Sequence, residues 1–154
     1  MINATCLILF LFSQIIFAKE PIELFWEDMV PPDYQTPDTP LSHDGNMLQM
    51  GLDAPIVESL NGKLVKIPGF VVPLEGDNET TTEFLLVPYF GACIHVPPPP
   101  ANQIVYVKFS DAVPIDNLYD AVWVTGTLST KGWEGDLATV GYSLVGISVN
   151  PYDG

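Results

Sequence analysis

Residues 63–74 read KLVKIPGFVVPL, an alternating apolar run with Pro68 and Gly69 at its centre. Alternation with a period of two predicts a half-buried β-strand, and a Pro-Gly pair inside such a strand predicts a bulge or a sharp bend. Residues 76–78 (Gly-Asp-Asn) are a turn signal, and a second apolar run follows at residues 83–89. These two runs therefore predict a hairpin whose first strand is long and bent.

Three more strand-like runs follow, at residues 103–109, 121–129 and 142–149. Residues 111–119 form a polar connection that can hold a helical turn, and residues 131–141 form the last loop. Five strands, a long bent first strand and a connector after the third match the strand order of an oligomer-binding (OB) barrel. We therefore predict an all-β fold, a small five-stranded OB-like barrel with a short N-terminal helix and an irregular strap. A small β-sandwich is the alternative.

Residues 1–18 contain no charged residue and end in Ile-Phe-Ala. An apolar run before a small residue is typical of a secretory signal peptide, although the usual positive n-region is missing. A membrane anchor is the alternative, but 18 residues is at the short end of what spans a bilayer. We expect an exported, periplasmic or secreted protein without a transmembrane segment after cleavage. The predicted organisation is signal peptide 1–18, N-terminal helix and strap 19–55, and barrel 56–154.

The region before the barrel combines an apolar segment with a polar one. Residues 19–29 (KEPIELFWEDM) have apolar residues near helical spacing and early acids, which predicts a short helix. Residues 31–55 are rich in Pro, Asp, Thr, Ser and Gly, which predicts an irregular strap. His43 lies in this strap near Met47 and Met50, and these soft-ligand types suit copper. A solvent-facing turn is the alternative.

All 19 acidic residues and all five lysines follow residue 18, and the sequence contains no arginine, so the net charge is −14. Nucleic acid is excluded as a partner because phosphate binding needs clustered Lys and Arg. An anionic membrane surface is disfavoured for the same reason. The negative electrostatic field of such a chain attracts cations or a basic protein surface. The alternative is that the acidic surface serves only solubility.

The loop at residues 90–102 (FGACIHVPPPPAN) contains the main candidate site. Loss of Cys6 with the leader leaves Cys93 as a lone cysteine, which is then a free thiol, an intermolecular disulfide, a metal ligand or a buried hydrophobe. Cys93 and His95 share one face of an extended segment, about 6.5 to 7 Å apart. Thiolate and imidazole suit zinc or copper, with His43 as a weak further candidate.

Two ligands do not complete a metal site, because a structural zinc needs four ligands and a catalytic zinc at least three. Carboxylates such as Glu134 or Asp136 could contribute only if the fold brings them to the loop. The alternative is that Cys93 packs as a small hydrophobe and His95 bonds to the backbone.

A cysteine hydrolase is the enzyme alternative, with Cys93, His95 and Asn102 as nucleophile, base and orienting group. Residues at i and i+2 rarely reach the required geometry, and no helix start lowers the thiol pKa. We therefore expect no enzymatic activity.

A binding module is the third interpretation of the loop. The four prolines form a preformed extended segment of the kind that aromatic grooves accept, next to two aromatic residues. The candidate partner-binding residues are Pro97, Pro98, Pro99, Pro100, Tyr89 and Phe90.

Residues 67–75 (IPGFVVPLE) and 84–103 (FLLVPYFGACIHVPPPPANQ) resemble a bacterial secreted family catalogued as "domain of unknown function 3299". Residues 26–28 (WED), followed by Pro31, and residues 122–126 (VWVTG) resemble further parts of that family. The resemblance covers most of residues 24–152, but not the strap that contains His43.

This resemblance implies an exported envelope protein, often encoded near transport components. The sequence and the resemblance together predict an envelope accessory protein that binds zinc or copper in support of a transport system. The alternatives are a protein- or oligomer-binding OB module that uses the proline-rich loop without metal, and a thiol-dependent hydrolase.

Overall fold

The computed structural model describes residues 19–35, 48–76, 79–93, 96–115 and 119–153. The predicted signal peptide and most of the strap, including His43, lie outside these residues. Eight strands occur within the described ranges: β1 (Ile22–Glu23), β2 (Leu64–Gly76), β3 (Thr80–Val87), β4 (Val105–Pro114), β5 (Val122–Ser129), β6 (Trp133–Glu134), β7 (Thr139–Val140) and β8 (Tyr142–Pro151). The helical elements of the same ranges are the 3₁₀ turns Trp26–Met29, Glu58–Leu60 and Ala101–Gln103. None of the described helices is long and apolar enough to cross a membrane.

The five long strands form a closed barrel. Their order is β2-β3-β4-β8-β5, and β5 pairs back with β2. The β4–β8 pair is parallel, whereas the other four pairs of the barrel are antiparallel. This arrangement confirms the predicted all-β, five-stranded OB-like barrel.

Strand β2 changes partner at the predicted bend. It pairs with β5 as far as Gly69 and with β3 from Phe70 onwards. A Cβ atom on Gly69 would lie 2.7 Å from the Val87 carbonyl oxygen, so the close approach of β3 requires glycine here. The register irregularities of this hairpin lie further along the strand, between Pro73 and Gly76.

The barrel interior is apolar, and it is continuous with side chains of the N-terminal region, by which we mean the residues before β2. Met29 and Leu60 belong to the same buried cluster as the inward-facing residues of the barrel. The Tyr142 hydroxyl donates to the Met29 carbonyl and accepts a hydrogen bond from the Val57 N–H, both at 2.7 Å. The Gly62 N–H donates to the Leu128 carbonyl at 2.8 Å. The N-terminal region therefore fills the barrel end at which β5 finishes and β8 begins.

The prediction of a helix at residues 19–29 is wrong for most of the segment. Residues Ile22–Glu23 pair in parallel with Val65 and Lys66, and helical structure is confined to the 3₁₀ turn Trp26–Met29. The physical reason is the bend in β2, because β3 pairs only from Phe70 onwards and leaves one edge of the early strand unpaired. The N-terminal segment satisfies the backbone groups of that edge, which outweighs its weak helical preference.

Two predicted connections contain more strand than expected. Strand β4 continues to Pro114, which pairs with Thr80, so most of the polar connection at residues 111–119 is not helical. Residues 116–118 lie outside the described ranges. The predicted loop at residues 131–141 contains the small hairpin β6–β7, in which Trp133 pairs with Val140.

Candidate functional site

A second apolar cluster covers the outer face of β2, β3 and β4. Because successive side chains of a strand point to opposite faces, Val72, Leu85 and Val87 lie outside the barrel. Two loops cover them, the cysteine loop with Ala92 and Cys93, and the β6–β7 hairpin loop with Ala138 and Val140. The candidate cysteine is therefore part of a packed layer on this face.

Cys93 is only 8% exposed, and this burial raises the pKa of its thiol to about 11. The thiol is consequently protonated at neutral pH, and a protonated thiol is a weak nucleophile and a weak metal ligand. Burial also raises the pKa of Tyr89, with a smaller contribution from the neighbouring Cys93. The backbone of Cys93 has φ 66°, a left-handed conformation that non-glycine residues seldom adopt.

The remaining predicted metal ligands are not described. His95 lies between the described ranges 79–93 and 96–115, and His43 lies in the undescribed part of the strap. Across the described residues, no group of three His, Cys, Asp or Glu side chains lies close enough to hold a metal ion. Asn102, the predicted orienting group of a hydrolase, donates to the Pro55 carbonyl at 2.9 Å.

The proline run is held under the strap. Pro98, Pro99 and Pro100 are buried, and Pro97 is half-buried. The Gln49 amide donates to the carbonyl oxygens of Pro99, at 2.8 Å, and of Thr139, at 2.7 Å. The Gln49 side-chain oxygen also accepts from the Thr139 N–H at 2.7 Å. One glutamine thus joins the strap, the proline run and strand β7.

Tyr89 and Phe90 are the best-exposed residues of the predicted partner-binding set, at 44% and 48%. The Phe90 ring lies 6.0 Å from Phe70 and 5.4 Å from Tyr119, measured between ring centroids. Phe90 therefore belongs to a small aromatic cluster at the surface.

A cleft of about 540 Å³ lies beside this packed layer, between the end of β2 and the β6–β7 hairpin. We call it the acidic cleft, because three of its eight lining residues are carboxylates. The lining residues are Pro73, Leu74, Glu75, Glu83, Trp133, Gly135, Asp136 and Leu137.

Stacked aromatic rings hold the hairpin side of the acidic cleft in place. The rings of Tyr106 and Trp133 lie parallel, with centroids 4.7 Å apart. Gly135 packs closely against the Trp133 ring, since a Cβ on this glycine would lie 1.9 Å from a ring carbon. With Tyr106 and Gly135 packed against it, Trp133 serves as a structural wall of the cleft.

Glu83 is the best-connected carboxylate of the cleft. It forms an ion pair with Lys108 and accepts a hydrogen bond from the Tyr106 hydroxyl at 2.7 Å. These hydrogen bonds, first that of Lys108 and then that of Tyr106, lower the pKa of Glu83. Burial, followed by the bond to Glu83, raises the pKa of Tyr106 to about 12.

Sequence reasoning reached only part of this site. The sequence predicts Asp136 as a carboxylate that the fold could bring to a ligand, and it lines the acidic cleft with Glu75 and Glu83. Nothing in the local sequence marks those two glutamates, because strand pairing alone brings them together. Gln49 was also missed, since its role depends on two chain segments remote in sequence.

The chain matches the family model described as "Protein of unknown function (DUF3299)" over residues 26–151. It is also similar to the crystal structure of a DUF3299 family protein from Pseudomonas aeruginosa PAO1, with a TM-score of 0.79 and 41% sequence identity. The alignment covers 88% of this chain and 99% of that one. No curated protein matches the chain. The match confirms the family resemblance inferred from residues 67–75 and 84–103.

Proposed function

The chain belongs to the DUF3299 family of proteins of unknown function, and we propose that it is an exported, non-enzymatic binding protein of the bacterial envelope. Its ligand is a basic segment of a partner protein, such as an envelope transport component, bound in the acidic cleft. The observation that carries this proposal is the position of the cleft. It lies on the outer face of the barrel beside the loop between the last two barrel strands, a surface that OB folds use for oligomeric ligands.

The charges around the cleft support a cationic ligand. Glu75, Glu83 and Asp136 line it, and the whole chain has a net charge of −14. Such a field attracts basic surfaces and repels nucleic acid. A guanidinium group binds a carboxylate through two parallel hydrogen bonds, so an arginine side chain suits this lining.

The existing ion pair at the cleft is easily exchanged. Lys108 is 61% exposed in its side chain, so solvent screens its ion pair with Glu83, whose own side chain is 22% exposed. A basic group of a partner can therefore replace Lys108 at Glu83 with little loss of stability. The apolar side chains of Leu74 and Leu137 provide contact area for the methylene groups of the incoming side chain.

The burial and the raised pKa of the lone thiol, Cys93, support a non-enzymatic role. A catalytic cysteine needs a lowered pKa or an adjacent base, whereas burial raises the pKa of Cys93 to about 11. The amide of Asn102 is engaged with the Pro55 carbonyl. Neither observation favours the thiol-dependent hydrolase.

Export is supported by the uncharged apolar leader at residues 1–18. Fractionation of cells that produce the full chain tests it directly, with the N-terminus of the recovered protein determined by mass spectrometry. We expect a periplasmic or secreted protein that begins near Lys19. Recovery of the intact leader in the cytoplasm would contradict export.

Binding of fluorescent hexa-arginine and hexa-glutamate peptides, measured by anisotropy at low salt, tests the acidic cleft. We expect the hexa-arginine peptide to bind, and the double variant Glu75→Gln/Asp136→Asn to weaken it at least tenfold. A matched control removes two exposed acids elsewhere, in Glu20→Gln/Asp53→Asn, and should change affinity by less than threefold. Equal losses in the two double variants would show that only net charge matters and would overturn the proposed site.

Metal handling by Cys93 and His95, with His43, is a second candidate. It is favoured by the backbone of Cys93, because left-handed non-glycine residues cost about 1 to 3 kcal/mol and cluster at functional sites. Metal analysis of untagged protein and of Cys93→Ser tests it. The candidate requires one equivalent of zinc or copper that is lost in the variant. Substoichiometric metal in both proteins, with no change in melting on adding either ion, would exclude it.

A further inference from the structure

The two ends of the barrel are closed differently. Strands β4 and β8 pair in parallel only from Val105 to Lys108 and from Tyr142 to Val145. Beyond these residues β4 pairs with β3 alone and β8 with β5 alone, so the two strands diverge. The N-terminal region fills the opposite end with Met29 and Leu60. The gap between the diverging strands remains as a cavity.

We call this space the barrel-end cavity. Its volume is about 130 Å³, and its wall is formed by the ends of β4 and β8 and the start of β5. Six of its eleven lining residues are large apolar side chains, Val71, Phe84, Val113, Ile115, Val122 and Val149.

The size and lining of the cavity select an apolar ligand group. Phe84 is fully buried and belongs to the barrel core, so the inner wall of the cavity is part of the core. An apolar cavity of about 150 Å³ stays dry and binds benzene, because its wall offers water too few hydrogen-bond partners. The barrel-end cavity, at about 130 Å³, is close to this volume, which suits one aromatic ring or one branched aliphatic group.

The polar residues of the lining define the rest of the ligand. Asp120 is exposed and is the one charged residue that lines the cavity among those that the structure describes. The Asn150 side-chain nitrogen donates to Ser148 Oγ at 3.3 Å, and its side-chain oxygen is a hydrogen-bond acceptor. A carboxylate and an amide oxygen both accept hydrogen bonds, and an ammonium group is a donor to both.

We propose that the barrel-end cavity binds a small organic cation, with its apolar group between β4 and β8 and its amine next to Asp120. The net charge of −14 also favours a positively charged ligand. This site shares no lining residue with the acidic cleft, so the inference does not depend on the proposed function.

Three probes with the same ring and different charge test the inference: phenethylamine, 2-phenylethanol and phenylacetate. Titration of the purified protein is followed by the NMR methyl signals of Ile115 and Val149. We expect saturable shifts with phenethylamine at a Kd at least tenfold below that of phenylacetate, with 2-phenylethanol in between. Absence of saturable shifts with phenethylamine, or equal affinity for all three probes, would overturn the proposal.

Two variants separate the apolar and the charged parts of the site. Ala121→Leu places a larger side chain at the cavity wall and should abolish binding of every probe. Asp120→Asn changes an exposed position and should keep 2-phenylethanol binding while removing the preference for the amine. Unchanged phenethylamine binding in either variant would contradict the site. The Glu75→Gln/Asp136→Asn protein serves as the control and should bind phenethylamine like the unmodified protein.

Discussion

At the scale of single residues, Cys93 combines a strained backbone with a buried thiol. Its φ of 66° is unfavourable for a side chain with a Cβ, while its burial at 8% exposure is favourable for a small hydrophobe. The turn around Gly91, which also has a positive φ, folds the loop back so that Ala92 and Cys93 cover the outer face of the sheet. Packing of this layer thus holds the cysteine in its conformation.

The raised pKa of Cys93 gives stability a specific dependence on alkaline pH. The folded protein keeps the thiol protonated up to about pH 11, whereas the unfolded chain releases the proton near the ordinary value of 9.0. The contribution of the thiol is therefore complete below pH 9 and is lost as the pH rises towards 11. Each pKa unit corresponds to about 1.4 kcal/mol.

We predict that the urea midpoint falls more between pH 8 and pH 10.5 in the unmodified protein than in Cys93→Ala. Tyr106 and Tyr142 also have raised pKa values, and the alanine variant retains their contribution as an internal control. Identical pH profiles of the two proteins would show that the thiol is not desolvated.

At the scale of elements, the loops are fixed to the barrel by contacts between segments remote in sequence. Trp133 stacks on Tyr106 and holds the β6–β7 hairpin against β4. Gln49 joins the strap to the proline run and to Thr139 on β7. The wall of the acidic cleft therefore depends on strap and hairpin together.

We predict that Gln49→Ala lowers the free energy of unfolding by about 1 to 3 kcal/mol, because it leaves partly buried carbonyl groups without their donor. Chemical denaturation measures the loss. Gln35→Ala, at an exposed position just before the undescribed part of the strap, is the matched control and should change stability by less than about 0.5 kcal/mol. A similar small change in both variants would show that the Gln49 hydrogen bonds contribute no stability.

At the scale of the whole molecule, the N-terminal region belongs to the barrel core. Tyr142 is fully buried, and its hydroxyl bonds to Met29 and Val57 in two separate N-terminal segments. The short strand β1 adds backbone pairing along the free edge of β2. The barrel and the residues before it are therefore expected to unfold together.

We predict that Tyr142→Phe destabilises the protein by about 1 to 3 kcal/mol, since it removes one partner from a buried and from a partly buried hydrogen bond. Tyr152→Phe, at an exposed position, is the control and should be nearly neutral. Circular dichroism during urea unfolding measures both. A Tyr142→Phe protein as stable as the control would show that these two hydrogen bonds contribute no stability.

The sequence by itself determined the five barrel strands and the bend at Gly69, because alternation and turn residues are local properties of the chain. It also determined the family, through the resemblance of residues 67–75 and 84–103. Tertiary structure alone decided that residues 22–23 pair as a strand, since the free edge of β2 exists only after the barrel closes. It also decided that residues 98–100 are buried, and that Glu75, Glu83 and Asp136 share a cleft. These features depend on pairings between distant segments, which no local pattern encodes.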